Sequence, residues 1–243
     1  MIIKGVVEYD GTDFFGWQVQ KDKRTVQGTL IEVLKRILNS DNFKLVGASR
    51  TDAGVHAENQ VFSLHLKEPV RMSLESLKKA LNSLLPNDVY VKSLEEAQED
   101  FHARFKARSK IYKYRILDGA KSPLRTRYVW ELPFRLDLEV LRQCSGLLKG
   151  ERDFSFLKLT TGEKKNQKVR FFSVSWDRVN DETVFVIEGD RFLYKLVRVL
   201  VASMVYSCKN FKSTSFFESF LEGKEEKVLV APAKGLTLVS VNY

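Results

Sequence analysis

The sequence predicts an α+β protein made of two lobes of similar design. Three observations carry that prediction. Apolar runs of strand period interleave with leucine-rich runs of helical period in both halves of the 243-residue chain. This pattern fits two α+β layers better than one doubly wound sheet. At roughly 150 residues per domain the length allows one large or two small domains. The charge divides unevenly: residues 1–100 carry 13 basic and 15 acidic side chains, residues 101–243 carry 27 and 16. We place the boundary so that residues 1–109 form an N-terminal lobe and residues 110–243 a basic C-terminal lobe.

In order, the Ile/Val-rich segment 2–9 reads as a strand. Residues 25–39 read as a helix, since Val26, Leu30, Val33, Leu34, Ile37 and Leu38 fall at helical spacing and Thr25 can cap it. Strands follow at 43–46 and 60–66, where Phe62, Leu64 and Leu66 share a face. Leu74, Leu77, Leu81 and Leu84 mark a second helix capped by Ser73, and 89–94 a strand. In the second half, 111–117 reads as a strand. Leu138, Leu141 and Leu148 give a helix capped by Asp137 and ended near Gly150. Segments 169–176 and 183–188 read as strands, 192–206 as a strongly apolar helix, 216–221 as a shorter one, and 236–241 as the last strand. Asp10-Gly11 has the composition of a hairpin turn. Residues 160–168 read as a mobile basic loop.

Composition removes several function classes. No run approaches 18 apolar residues, and the first ten residues lack the apolar block of a signal peptide, so neither a membrane span nor export is expected. Cys144 and Cys208 stand apart with no motif around them, as expected of buried hydrophobes in a reducing cytoplasm. No glycine-rich phosphate loop or dinucleotide fingerprint is present, and His56, His65 and His102 lack metal-ligand spacing. The net charge of +9 fits an anionic partner, nucleic acid foremost, although a general solubility charge accounts for it equally well.

Three segments carry candidate chemistry. The loop 47–57, between two predicted strands, is built of small residues around Arg50, Asp52 and His56. Small residues let a backbone approach a ligand closely, and Arg50 and Asp52, two apart, can face one cavity. An Asx-type turn with Arg50 in solvent explains the same spacing. Residues 104–115 hold six basic residues and no acid: Arg104, Lys106, Arg108, Lys110, Lys113 and Arg115. In an extended chain Arg104, Lys106, Arg108 and Lys110 share one face. Cations neutralise phosphates, and the interleaved Phe105, Tyr112 and Tyr114 offer stacking surfaces. A lysine-guarded sheet edge is the structural alternative. Finally, Arg198 sits in an apolar helix, where burial requires a partner. A carboxylate from elsewhere is expected, Asp52 being a candidate, unless the side chain snorkels to the surface.

At this point the chain resembles the TruA family of tRNA pseudouridine synthases. The resemblance rests on Tyr9-Asp10-Gly11-Thr12 with Gly16-Trp17-Gln18, on the run from Arg50 to Ala57, on Phe101-His102-Ala103-Arg104-Phe105, on Tyr112-Lys113-Tyr114, on Phe192 to Arg198, and on Ala233-Lys234-Gly235-Leu236. It implies two α+β lobes around a central, mainly antiparallel sheet, with the active site in the cleft between them. It implies isomerisation of uridine to pseudouridine at positions 38, 39 and 40 of the tRNA anticodon stem-loop, by a cytoplasmic homodimer that uses no cofactor or metal. Asp52 matches the catalytic aspartate, Arg50 the arginine that displaces the target base, Tyr112 the tyrosine packed on the uracil, and Arg198 the basic partner of the aspartate. Phe101, His102, Ala103, Arg104 and Phe105 match a tRNA-contacting segment, and Arg108 and Lys110 continue its positive charge. The carboxylate can attack ribose C1′, add to uracil C6, or take a 2′ proton, and the sequence leaves these routes open. Ser49 stands where the family usually has glycine, which strains the loop if that position needs a positive φ. The loop 164–170 lacks the family's usual proline.

Two other classes are compatible with parts of this pattern. A tRNA-binding protein without catalysis would not depend on Asp52. A small-molecule enzyme with an aspartate nucleophile would leave the basic segment unused and bind without salt dependence.

Overall fold

The computed structural model describes residues 1–157, 167–225 and 228–243. It is a mixed α+β fold with mostly antiparallel strands, divided into two compact units: Met1–Arg108 with Thr237–Tyr243, and Ser109–Leu236.

The first unit is built on β1 (Ile2–Tyr9), which lies antiparallel between β3 (His56–Leu66) and β4 (Val89–Ala97). The far edge of β3 is shared. β2 (Phe43–Gly47) runs antiparallel along its C-terminal part, and β10 (Leu236–Asn242) pairs parallel with His56 and Ala57. Alternation sorts β1 by face: Ile3, Gly5, Val7 and Tyr9 are buried. Gly5 is required here, because the Phe62 ring lies where its Cβ would be, 2.1 Å away. Helix α1 (Val26–Leu38) buries Val26, Leu30, Val33 and Leu34, and α2 (Leu74–Leu84) buries Leu77 and Leu81, one apolar stripe each. The caps are those expected: Thr25 accepts from the Gly28 N–H and Ser73 from the Ser76 N–H. Asn39 ends α1 in the left-handed conformation.

The second unit carries the antiparallel order β5 (Ser109–Asp118), β9 (Glu182–Gly189), β8 (Lys168–Val179), β7 (Gly150–Asp153), with β6 (Trp130–Leu132) parallel to the end of β5. Among the described residues three α-helices accompany it: α3 (Leu138–Gly146), α4 (Leu196–Phe211) and α5 (Ser215–Leu221). α4 is buried nearly all round, as its composition demands. Trp176, 1% exposed, packs on Phe185 and donates its indole N–H to Met204 Sδ at 3.2 Å. The buried Asp118 carboxylate accepts from Arg178 at 2.5 Å, Thr183 Oγ1 at 2.6 Å and the Leu136 N–H at 2.9 Å. Burial pushes this carboxyl up, but the three donors together hold it below its usual range. Cys144 and Cys208 are buried and free, and burial raises both thiols, Cys144 to about 12.

Four expectations need correction. The helix expected at 192–206 begins at Leu196 and runs to Phe211, because Lys195 takes a left-handed φ of 58° and Phe192 turns to pack on Tyr112 and Phe171. The helix expected to end near Gly150 ends at Gly146, and Gly150, at φ 95°, opens β7. Asp10-Gly11 turns no hairpin; Asp10 Oδ1 instead accepts the N–H and hydroxyl of Thr12 in an Asx turn. β6 and β7 were not foreseen, being three and four residues long, too short for a readable period. The expected basic loop at 160–168 lies mostly outside the described residues, as do residues 164–166 of the segment 164–170, while β8 already begins at Lys168.

Candidate active site

Asp52 occupies the connection between β2 and β3, and nearly every neighbour of its backbone is tied down. Thr51 is buried, with its Oγ1 2.7 Å from the Tyr9 hydroxyl, and its carbonyl accepts the Trp17 N–H at 3.1 Å. The Asp52 carbonyl accepts the Val55 N–H at 3.2 Å, closing a turn completed by Gly54 at φ 77°. The Gly54 N–H reaches the Phe14 carbonyl at 3.2 Å. His56, buried at the start of β3, accepts the Gly11 N–H on Nδ1 at 3.0 Å and stands 3.1 Å from Asp10 Oδ1. The segment 9–17 is thus the clamp of the aspartate loop. Gly11 and Gly16 permit the close approach: a Cβ on Gly11 would lie 2.0 Å from the Val55 carbonyl oxygen, and one on Gly16 2.5 Å from that of Thr51. Trp17, 1% exposed, fills the space beside Gly47. The Asp52 side chain remains half-buried and Arg50 is exposed.

Ser49 is not strained. Its φ is not among the positive values, and its N–H and carbonyl are both held by the fully buried Gln60 side chain, at 3.1 and 2.8 Å. The amide of Gln60 continues the strand pairing where the loop leaves the sheet. Sequence reading missed Gln60. Its one signal was a polar residue at a position of β3 that alternation does not assign to solvent.

Tyr112 and Arg198 belong to the second unit. Tyr112, on β5 opposite Ile187, is buried, and its ring meets Phe192 edge to face at 5.0 Å. Arg198 stands in the first turn of α4 and is half-buried. Its Nε donates to the Ala231 carbonyl at 2.7 Å, and its own carbonyl accepts the Ala231 N–H at 3.1 Å. This backbone partner was not foreseen. Directly before α4, Lys195 holds its left-handed conformation without a side-chain cap, a strain of about 1 kcal/mol.

The basic segment is not one extended face. Residues 102–106 form a turn in which His102 Nδ1 accepts the N–H groups of Arg104 and Phe105, both at 3.2 Å, and β5 begins only at Ser109. The neutral imidazole suits that role, and burial with Lys44 and Arg104 nearby lowers the His102 pKa. Ala103 is fully buried, its N–H on Ser63 Oγ and its carbonyl accepting the Tyr243 hydroxyl at 2.8 Å. Phe101 packs on Tyr243 at 5.1 Å. So anchored, the turn presents Phe105, 76% exposed, stacked on His102 at 4.3 Å with the Arg104 guanidinium 5.9 Å from its ring. Lys106 pairs with Asp100 and Arg108 is exposed, whereas Lys110 is buried. Arg115 is engaged twice by Glu182, at 2.7 and 2.8 Å. Among the described residues, no three of His, Cys, Asp and Glu gather as a metal site, and no helix is long and apolar enough to cross a membrane.

A carboxylate on a rigid loop, an arginine two residues away and an anchored aromatic–cationic turn suit chemistry on a stacked, anionic polymer. Comparison with known proteins agrees. The family model described as tRNA pseudouridine synthase matches residues 6–106 and 145–243. The tRNA pseudouridine synthase A of Limosilactobacillus reuteri (strain DSM 20016) is 38% identical over 97% of this chain and 94% of its own length. That of Thermotoga sp. (strain RQ2) is 36% identical over 99% of both chains, and that of Thermodesulfovibrio yellowstonii 38% identical over 99% of both.

Proposed function

Because the chain belongs to the tRNA pseudouridine synthase family, we propose that it isomerises uridine to pseudouridine at positions 38, 39 and 40 of the tRNA anticodon stem-loop. A stacked base is out of reach, so the target nucleotide is first extruded. Arg50 enters the space it leaves, and Tyr112 packs on the freed uracil. Asp52 is the nucleophile that opens the C1′–N1 bond, with Arg198 as its cationic partner. The uracil then turns, C5 bonds to C1′, the C5 proton leaves and N1 gains one. Composition is unchanged, so the reaction consumes no reductant or cofactor.

The observation that carries this reading is the clamp on the Asp52 loop. A carboxylate that serves only solubility does not need Tyr9, Gly11, Phe14 and Trp17 holding its loop, whereas a nucleophile gains from fixed geometry. Arg104 and Phe105, the latter stacked on His102, present the phosphate and stacking contacts to the stem-loop, extended by the exposed Arg108, while Phe101 and the buried Ala103 anchor the turn and Lys110 lies buried near the start of β5. In this reading each half of the chain supplies part of the site, and the enzyme works as a cytoplasmic homodimer.

The test is incubation of unmodified tRNA bearing uridines at 38–40 with wild type and with Asp52→Ala, followed by carbodiimide mapping. Conversion by wild type alone supports the proposal. Conversion by Asp52→Ala at the wild-type rate removes Asp52 from the chemistry. Salt-sensitive tRNA binding without conversion by either makes the chain a binding protein.

A further inference from the structure

Tyr114 is fully buried on β5, and it is not held by apolar packing alone. Its ring meets Trp130 edge-on at 6.2 Å, and Gly235 lies so close against it that a Cβ there would sit 2.7 Å from Cε1 and Cζ. Its hydroxyl donates to the Pro232 carbonyl at 2.7 Å. The neighbouring Ala231 is the residue that Arg198 grips twice, by Nε and by its own carbonyl.

We infer that Tyr114 is a positioning residue that sets the direction of the Arg198 guanidinium through the Ala231–Pro232 peptide. The inference rests on the proposed role of Arg198. Proline is what transmits the constraint. Its ring fixes φ, here at −53°, so ψ, here 142°, is the main backbone torsion left between the two carbonyls. The Tyr114 hydrogen bond holds the far carbonyl and therefore that torsion. The Ala231 carbonyl then presents one fixed acceptor to Nε. An arginine side chain has several rotatable bonds, and its planar fork is aimed once Nε is fixed. Burial pushes the Tyr114 hydroxyl upward and the charge of Arg198 offsets this only in part, so the phenol stays protonated and donates throughout the neutral range. Phenylalanine would fill the same space and lose only this bond.

The experiment measures single-turnover isomerisation, as tritium released from tRNA labelled with [5-³H]uridine, beside tRNA affinity and thermal unfolding. Tyr114→Phe is expected to lower the single-turnover rate about tenfold, equivalent to ~1.4 kcal/mol, with tRNA affinity unchanged within about twofold. In an Arg198→Lys background, which has no Nε to aim, the same substitution is expected to change the rate less than about twofold. Equal losses in both backgrounds, or a wild-type rate for Tyr114→Phe, overturn the inference. A wild-type rate for Arg198→Lys overturns the role of Arg198 itself and is seen in that variant alone. If Arg198→Lys is too slow to measure, the cycle is run with Pro232→Gly, which keeps the carbonyl and frees φ. The double variant is then expected to be no slower than the slower single one, and additive losses refute the coupling.

Discussion

Gly16→Ala tests the clamp on the aspartate loop without touching Asp52. Gly16 sits at φ 88°, where an L-residue is strained by about 1 kcal/mol. Its new Cβ would lie 2.5 Å from the Thr51 carbonyl oxygen, 3.0 Å from the Asp52 carbonyl carbon and 3.2 Å from the Ala53 nitrogen. These are backbone atoms, so no side chain can rotate out of the way. Relief requires moving the peptide that carries Asp52 by the better part of an ångström. Overpacking of this kind costs about 1–3 kcal/mol, giving a total loss of about 2–4 kcal/mol. A displacement of about 1 Å at a reacting group costs on the order of a hundredfold in rate. The assay is urea unfolding beside single-turnover conversion and tRNA binding. A lower urea midpoint with unchanged slope, a rate down on the order of a hundredfold and near-native tRNA affinity are expected. Native stability and native rate would show that segment 9–17 does not hold the aspartate loop, and would refute the reasoning.

Three further outcomes follow from the buried Asp118 carboxylate and the exposed Phe105 ring. Asp118→Ala leaves the buried Thr183 hydroxyl and the Leu136 N–H without their acceptor and removes the ion pair to Arg178, and is expected to destabilise the protein by about 3 kcal/mol in chemical unfolding. Because the folded-state pKa of Asp118 is lowered, its contribution is fully present above the ordinary carboxylate pKa and disappears as pH falls through the folded value. The urea midpoint of wild type should therefore drop on acidification more steeply than that of Asp118→Asn, and equal slopes would contradict this. Phe105→Ala removes an exposed ring and is expected to shift stability by less than about 0.5 kcal/mol. It should weaken tRNA binding by about 1–3 kcal/mol without changing the salt slope, as filter binding over a salt series would show.

The elements legible in the sequence were those with a strong period or a cap. The limits of α1 and α2 follow from Thr25, Ser73 and their leucines, and β5, β8 and β9 from alternation. What failed was local geometry set by distant atoms. Residues 192–195 are apolar enough to continue a helix, yet the Phe192 ring is taken by Tyr112 and Phe171, so the helix starts at Leu196. The segment around Arg104 has the composition of a strand edge, but His102 caps two backbone N–H groups and curls it into a turn.

The site divides in the same way. Residue chemistry and order along the chain, which the sequence alone carries, determined the two-part α+β plan, the family and the candidates Asp52, Arg50, Tyr112 and Arg198. The tertiary structure decided what holds them: Tyr9 and Trp17 on Thr51, Gln60 on Ser49, Ala231 on Arg198, and the last strand returning to the first unit beside His56. Each of these contacts joins residues well apart in sequence through one or two hydrogen bonds or a ladder pair. Periodicity reports only which face of an element is buried, so the partner across the fold appears only when the chain is closed upon itself.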